Sequence, residues 1–277
     1  MKIDSHQHFW IYNDEDYGWI DESMKVLRRD YLPADLQPEL VKTGFSGTVA
    51  VQARQCLAET RWLLTLADKY DFIKGVVGWV DLRSGDDLKK QLDEFSRSDK
   101  LVGVRHVVHD EPDENFMLRD DFLKGISILS DYGLTYDFLL FPKHLPKAHK
   151  VVSMFPDQKF VLDHISKPFI KEQIIDPWKD DIMKLAENKN VWCKLSGMVT
   201  EADRGKWKPG DFQPYLDIVF EAFGPGRLMI GSDWPVCSLA GDYGKVTGMV
   251  ESYISEMSLE IREKILGLNC AAFYGIE

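Results

Sequence analysis

The chain has 277 residues, 44% of them hydrophobic and 29% charged, a globular balance that excludes wholesale disorder and leaves ample length for one large α/β domain. Its 34 Lys and Arg against 45 Asp and Glu give a net charge of −11, which argues against a nucleic-acid or anionic-membrane binder, since both need a basic face. With no run of 18 apolar residues, no basic and apolar leader and no C-x-x-C pair among four scattered cysteines, the expectation is a cytoplasmic protein without a membrane span or a disulfide framework.

In chain order, short apolar runs bounded by Gly, Pro or polar residues predict eight strands. They are KIDSHQH from Lys2, GTVAVQA from Gly47, IKGVVGWVDL from Ile73, LVGVRHVV from Leu101, TYDFLLF from Thr135, KFVLDHI from Lys159, VWCKLSG from Val191 and RLMIGSDW from Arg227. Helical spacing occupies 59–70, 86–98, 122–133, 177–190, 212–224 and 259–275. Alternating strands and helices imply parallel strands with crossover helices, and a count of eight selects the (β/α)8 TIM barrel, one domain over 1–277. No G-x-G-x-x-G follows the first strand, which weighs against a dinucleotide-binding sheet. The stretch 10–38 is too long for an ordinary strand-to-helix connection and is expected to wall a pocket at the barrel mouth.

Strand alternation puts Asp4, His6 and His8 on one face. The first strand ends at this pair of histidines, the sixth at His164 and the eighth at Asp233. Closing a barrel sets the first strand beside the eighth, so all four side chains are expected at one mouth, where active sites of this fold lie. Three imidazoles and a carboxylate match the ligands of one zinc-like ion; without a metal, they could polarise a carbonyl and activate water.

IDSHQHFW, GWVDL, GVRHVV, LTYDFLLFPKHLP, VLDHISKP, KLSG and GSDWPVC resemble the amidohydrolase superfamily, and within it the branch of sugar-lactone hydrolases. The likeness runs from the first strand to the eighth. It implies hydrolytic opening of an aldonolactone such as L-fuconolactone or L-rhamnonolactone in carbohydrate metabolism. Asp233 then corresponds to the carboxylate that takes a proton from water, and His6, His8 and His164 to the groups that hold a metal or polarise the carbonyl. LVGVRHVV lacks the Lys or Glu that bridges two metals in binuclear members, and TYDFLLF lacks their histidine. The implied cofactor is therefore none, or one divalent metal, zinc above others, on His6, His8, His164 and Asp233.

Substrate contacts are expected from Trp10 and Trp234 as apolar walls, and from Gln52 and Lys194 as inward polar groups. Arg105 and His106 match the family's G-V-R-H stretch, and His109 lies just beyond them, in the mouth or in a capped turn. Two other readings keep the barrel: a metal-dependent non-oxidative decarboxylase with Arg54 or Arg105 clamping a carboxylate, and a non-catalytic barrel that binds a sugar acid.

Overall fold

Short runs rich in Val and Ile, such as GTVAV and IKGVVG, are buried at every position but the half-buried Lys74, as parallel strands covered on both faces must be. The strands are β1 (Ile3–Gln7), β2 (Gly47–Val51), β3 (Ile73–Gly78), β4 (Leu101–His106), β5 (Thr135–Phe138), β6 (Phe160–Leu162), β7 (Val191–Leu195) and β8 (Leu228–Ile230). In a computed structural model describing residues 1–277 they form one sheet in the order β1 to β8, every neighbouring pair parallel. The sheet closes through a parallel bridge between Gln7 and Trp234, where the His8 amide donates to the Trp234 carbonyl at 2.7 Å and the Asp233 amide to the His6 carbonyl at 2.8 Å. All eight expected strands form, and the fold is a (β/α)8 barrel.

Around it lie α1 (Pro33–Thr43), α2 (Leu57–Lys69), α3 (Asp86–Phe95), α4 (Asp120–Leu129), α5 (Leu145–Met154), α6 (Trp178–Ala186), α7 (Gln213–Phe223), α8 (Tyr243–Tyr253), α9 (Leu259–Glu263) and α10 (Asn269–Tyr274). In α3, Leu88, Leu92 and Phe95 recur at helical spacing and are buried, while Lys89, Lys90 and Glu94 are exposed. No helix is long and apolar enough to cross a membrane.

Helices α1, α5 and α8 are absent from the sequence reading, because Pro38 inside α1, Pro146 at the start of α5 and Gly244 with Gly248 in α8 lower local propensity. Capping and burial override that. Asp35 accepts from the Leu32 amide at 2.9 Å before α1, and Asp242 from the Lys245 amide at 2.8 Å before α8.

The barrel end opposite the mouth is sealed by α10, whose Cys270, Phe273 and Tyr274 pack with Ile3, Val49, Val161 and Met229. Gly267 permits this approach, since a Cβ there would stand 2.5 Å from the Met1 carbonyl.

Candidate active site

His6 lies in β1 and His8 directly after it, whereas His164 and Asp233 sit in the turns that follow β6 and β8. Both turn residues adopt left-handed backbone, φ 56° for His164 and φ 58° for Asp233, which costs of order 1 kcal/mol each for non-glycine residues. Hydrogen bonds hold them there: the His164 carbonyl accepts from the Lys167 amide, and the Asp233 carbonyl from the Cys237 amide, each at 2.8 Å. The left-handed run continues through Ile165, Ser166 and Lys167. It ends the strand alternation, so the consecutive residues Asp163 and His164 both bond to groups of the barrel interior.

Asp4 does not join the histidines. The β1–β2 register shifts between Asp4 and Gln7, and the Asp4 carboxylate accepts from the His6 amide (3.1 Å), the Ser232 amide (2.8 Å) and hydroxyl (2.6 Å), and the Tyr243 hydroxyl (3.0 Å). It clasps β1 to the turn that carries Asp233. Burial pushes its pKa up to about 6 in spite of these donors.

Asp233 Oδ1 stands 3.4 Å from His8 Nε2, 3.8 Å from His164 Nε2 and 3.9 Å from His6 Nε2. The His6 and His8 Nε2 atoms are 3.2 Å apart. His8 Nδ1 lies 2.8 Å from the Val51 carbonyl, which only accepts, so that nitrogen carries the proton and Nε2 faces the mouth with its lone pair. His164 Nδ1 meets the Ser196 hydroxyl at 2.9 Å. Burial drives the His6 pKa well below its ordinary value and that of His164 down to about 4, so both rings are neutral near pH 7. For Asp233 burial opposes ionisation, but His164 and then His8 and His6 outweigh it and hold the carboxyl below the usual carboxylate range.

Imidazoles and a carboxylate gathered this closely repel through their lone pairs unless a proton or a cation lies among them, and the ligand atoms of His6, His8 and Asp233, all within 4.8 Å of one another, fit one zinc-like ion. His6, Asp163 and His164 form a second close group. That one is spent: Asp163 Oδ1 is 3.0 Å from Lys194 Nζ and Oδ2 accepts from Arg105 Nη1 at 3.0 Å.

Beneath His6, the fully buried Lys194 ammonium donates to Asp137 Oδ2 at 2.5 Å, and the Tyr274 hydroxyl donates to the same oxygen at 2.7 Å. Burial disfavours the Lys194 charge, yet Asp137 and Asp163 outweigh it and lift its pKa above the ordinary lysine value.

The mouth opens into a cavity of about 630 Å³ lined by His8, Arg105, His164 and Asp233 together with Trp10 and Trp19 of the long first loop, whereas His6, wholly buried, does not line it. Trp10, Arg105 and His109 line it, the His109 ring stacked on Phe141 at 4.7 Å. Gln52, His106, Lys194 and Trp234 do not. Gln52 Nε2 donates to the Arg105 carbonyl at 3.2 Å while Arg105 Nη2 donates to the Gln52 carbonyl, so Gln52 seats the arginine. His106 lies between Trp79 Nε1 (3.3 Å) and Glu111 Oε1 (2.6 Å), stacked on Phe116. Trp234 packs on Tyr31 and Phe9.

Asp163 and Asp137 were not singled out in the sequence. Acids inside the apolar runs TYDF and FVLD carried the signal, because a buried carboxylate needs a partner. The cavity's other cations are ion-paired, Arg54 with Asp16 and Lys167 with Glu201 at 3.1 Å, apart from Arg204.

Residues 3–276 match the amidohydrolase family. An L-fucono-1,5-lactonase from Burkholderia multivorans is 40% identical over 290 residues, covering 100% of this chain and 96% of its own, and one from Burkholderia ambifaria is 34% identical at the same coverage. The crystal structure of an amidohydrolase from Burkholderia multivorans with bound zinc superposes with a TM-score of 0.96 at 40% identity, covering 100% of both chains. A 5-carboxyvanillate decarboxylase from Sphingomonas paucimobilis shares the fold, with a TM-score of 0.70 at 9% identity over 100% of this chain and 99% of its own. With the match running almost from end to end over a barrel that gathers His6, His8, His164 and Asp233 at its mouth, the chain belongs to the amidohydrolase family.

Proposed function

We propose that the protein is a sugar-lactone hydrolase, opening an aldonolactone ring by attack of water on its carbonyl. The observation that carries this reading is the Asp233 carboxylate, 3.4 to 3.9 Å from three imidazole nitrogens at the floor of the cavity. A general base must be ionised before it acts, and the Asp233 carboxyl, held below the usual carboxylate range, is ionised near pH 7. Asp233 takes a proton from the attacking water, while the Arg105 guanidinium, at the same floor, offers N–H groups to the developing oxyanion. As the tetrahedral intermediate collapses, the bond from the carbonyl carbon to the ring oxygen breaks and the proton on Asp233 passes to that oxygen. The product is an open-chain hydroxy acid. A metal held by His6, His8 and His164, with Asp233 beside them, would polarise the carbonyl and acidify the water.

The cavity of about 630 Å³ suits one sugar ring. Three of its four cations, Arg54, Lys167 and Arg105, are already ion-paired and only Arg204 is not, which leaves little to clamp a substrate carboxylate and weighs against the decarboxylase reading. The relatives named for L-fucono-1,5-lactone make that compound the first candidate. The test is the initial rate of proton release from L-fucono-1,5-lactone by chelator-stripped protein, with and without Zn²⁺, less the spontaneous rate. Turnover in both conditions supports carbonyl polarisation by the side chains alone; turnover only with Zn²⁺ makes the histidines metal ligands. No turnover of this or other aldonolactones in either condition overturns the reading.

A further inference from the structure

His6 differs from the other two imidazoles of the site in what its inner nitrogen meets. Nδ1 lies 3.2 Å from Asp163 Oδ1, an acceptor, and 3.2 Å from Lys194 Nζ, a donor. On its other edge Nε2 is 3.2 Å from His8 Nε2 and 3.3 Å from Arg105 Nη1. The His8 proton is spent on the Val51 carbonyl, so its Nε2 accepts, whereas the guanidinium only donates. Each edge of the His6 ring thus faces one donor and one acceptor. Both neutral tautomers find a partner within reach: a proton on Nε2 faces His8 while Nδ1 accepts from Lys194, and a proton on Nδ1 faces Asp163 Oδ1, a buried oxygen with no other hydrogen bond, while Nε2 turns its lone pair toward Arg105.

We propose that Lys194 and Asp163 are positioning residues that make His6 a tautomer switch, presenting N–H toward His8 and Asp233 when no cation lies among them and a lone pair when a divalent metal does. The ring holds one proton in both states, so its charge never changes. This rests on the lactonase reading of the site and deepens it, since only the tautomer with a lone pair on Nε2 can ligate a metal beside Asp233, while the other bonds His6 to His8. The surroundings are built for two states. Lys194 and Arg105 balance Asp137 and Asp163 in a cluster that is almost wholly buried, so neither tautomer leaves an uncompensated charge. A purely structural lysine would need only its two carboxylates. The Lys194 ammonium has a third hydrogen, and His6 Nδ1 is within its reach.

The experiment is long-range proton–nitrogen correlation spectroscopy of the imidazole nitrogens in labelled full-length protein near neutral pH, chelator-stripped and then saturated with Zn²⁺. The His6 signals are assigned by their loss in His6→Gln. The expected result is a protonated Nε2 with a bare Nδ1 in the stripped protein, and the reverse, with a metal-shifted Nε2, after zinc. A protonated Nδ1 in the stripped protein overturns the proposal, as does a His6 pattern that zinc leaves unchanged. Lys194→Met, checked for fold by circular dichroism, should show protonated Nδ1 in both states; a persistent Nε2–H in the stripped variant removes Lys194 from the switch. Should that variant not fold, the wild-type spectra decide. No lactone enters these measurements, so a protein that switches yet opens no lactone refutes the activity and keeps the switch.

Discussion

Asp233 Oδ1 lies 3.4 Å from His8 Nε2, a contact made where the two ends of the sheet meet, with the Asp233 amide bonded to the His6 carbonyl and the His8 amide to that of Trp234. The seam that closes the barrel is therefore also what assembles the proposed base with its imidazoles. Asp233→Asn keeps the shape and removes the base. Its kcat on a turned-over lactone should fall by roughly a hundred- to ten-thousand-fold, the usual share of a general base, with an unchanged circular dichroism spectrum. Near-wild-type turnover would remove Asp233 from that role.

Gly197 has φ 61°, and a Cβ built there would stand 2.4 Å from His164 Nδ1. Gly197→Ala should push His164 off Ser196, lowering kcat/KM and costing about 1–3 kcal/mol in urea unfolding, as overpacked sites do. Unaltered kinetics would mean that His164 tolerates displacement.

Arg105 reaches Asp163 and the Gln52 carbonyl with two different nitrogens of its fork. Lysine offers one point of charge and cannot hold both. Losing a buried hydrogen bond to a charged group costs about 1.5–3 kcal/mol, so Arg105→Lys should lower the free energy of unfolding by about that much. Urea unfolding checks this, and an unchanged midpoint would show that the fork is not needed to hold both partners.

Glu59 lies under the loop after β2, where its carboxylate accepts from the Ala53 amide at 3.0 Å and the Arg54 amide at 2.8 Å. Burial raises its pKa to about 7 against the pull of those donors. Because the folded value lies above the unfolded one, its contribution to stability is full below about pH 4.5 and is lost as pH rises through about 7. Glu59→Gln is neutral throughout and escapes that loss. Between about pH 5 and about pH 8 the Tm of the variant should therefore gain on that of the wild type. A pH-independent difference in Tm contradicts the assignment.

How much could be read from the sequence follows from which rules apply locally. Eight buried strands and the H-x-H pair are legible because alternation and apolar runs are properties of neighbouring residues. His164 and Asp233 are legible as strand-end residues, but their left-handed backbone is not, and that backbone is why Asp163 and His164 both serve the interior. Asp4 misleads because a register shift in the β1–β2 pairing is invisible to a period-two count. Lys194 reads as an inward polar group, and it is one; that it meets Asp137, Asp163 and His6 instead of the cavity depends on strands far apart in the chain.

The ion pairs around the cavity bear on turnover. Arg54 is committed to Asp16, Lys167 to Glu201 and Arg105 to Asp163, with acids Glu15 and Asp110 on the same walls. Arg204 is the one lining cation without a carboxylate, and hydrolysis as proposed converts a neutral ring into an anion beside this set. Ring opening thus sets a new carboxylate against Asp16, Glu201 and Asp163 for their cations and leaves Arg204 as the one lining cation it meets without displacing a partner.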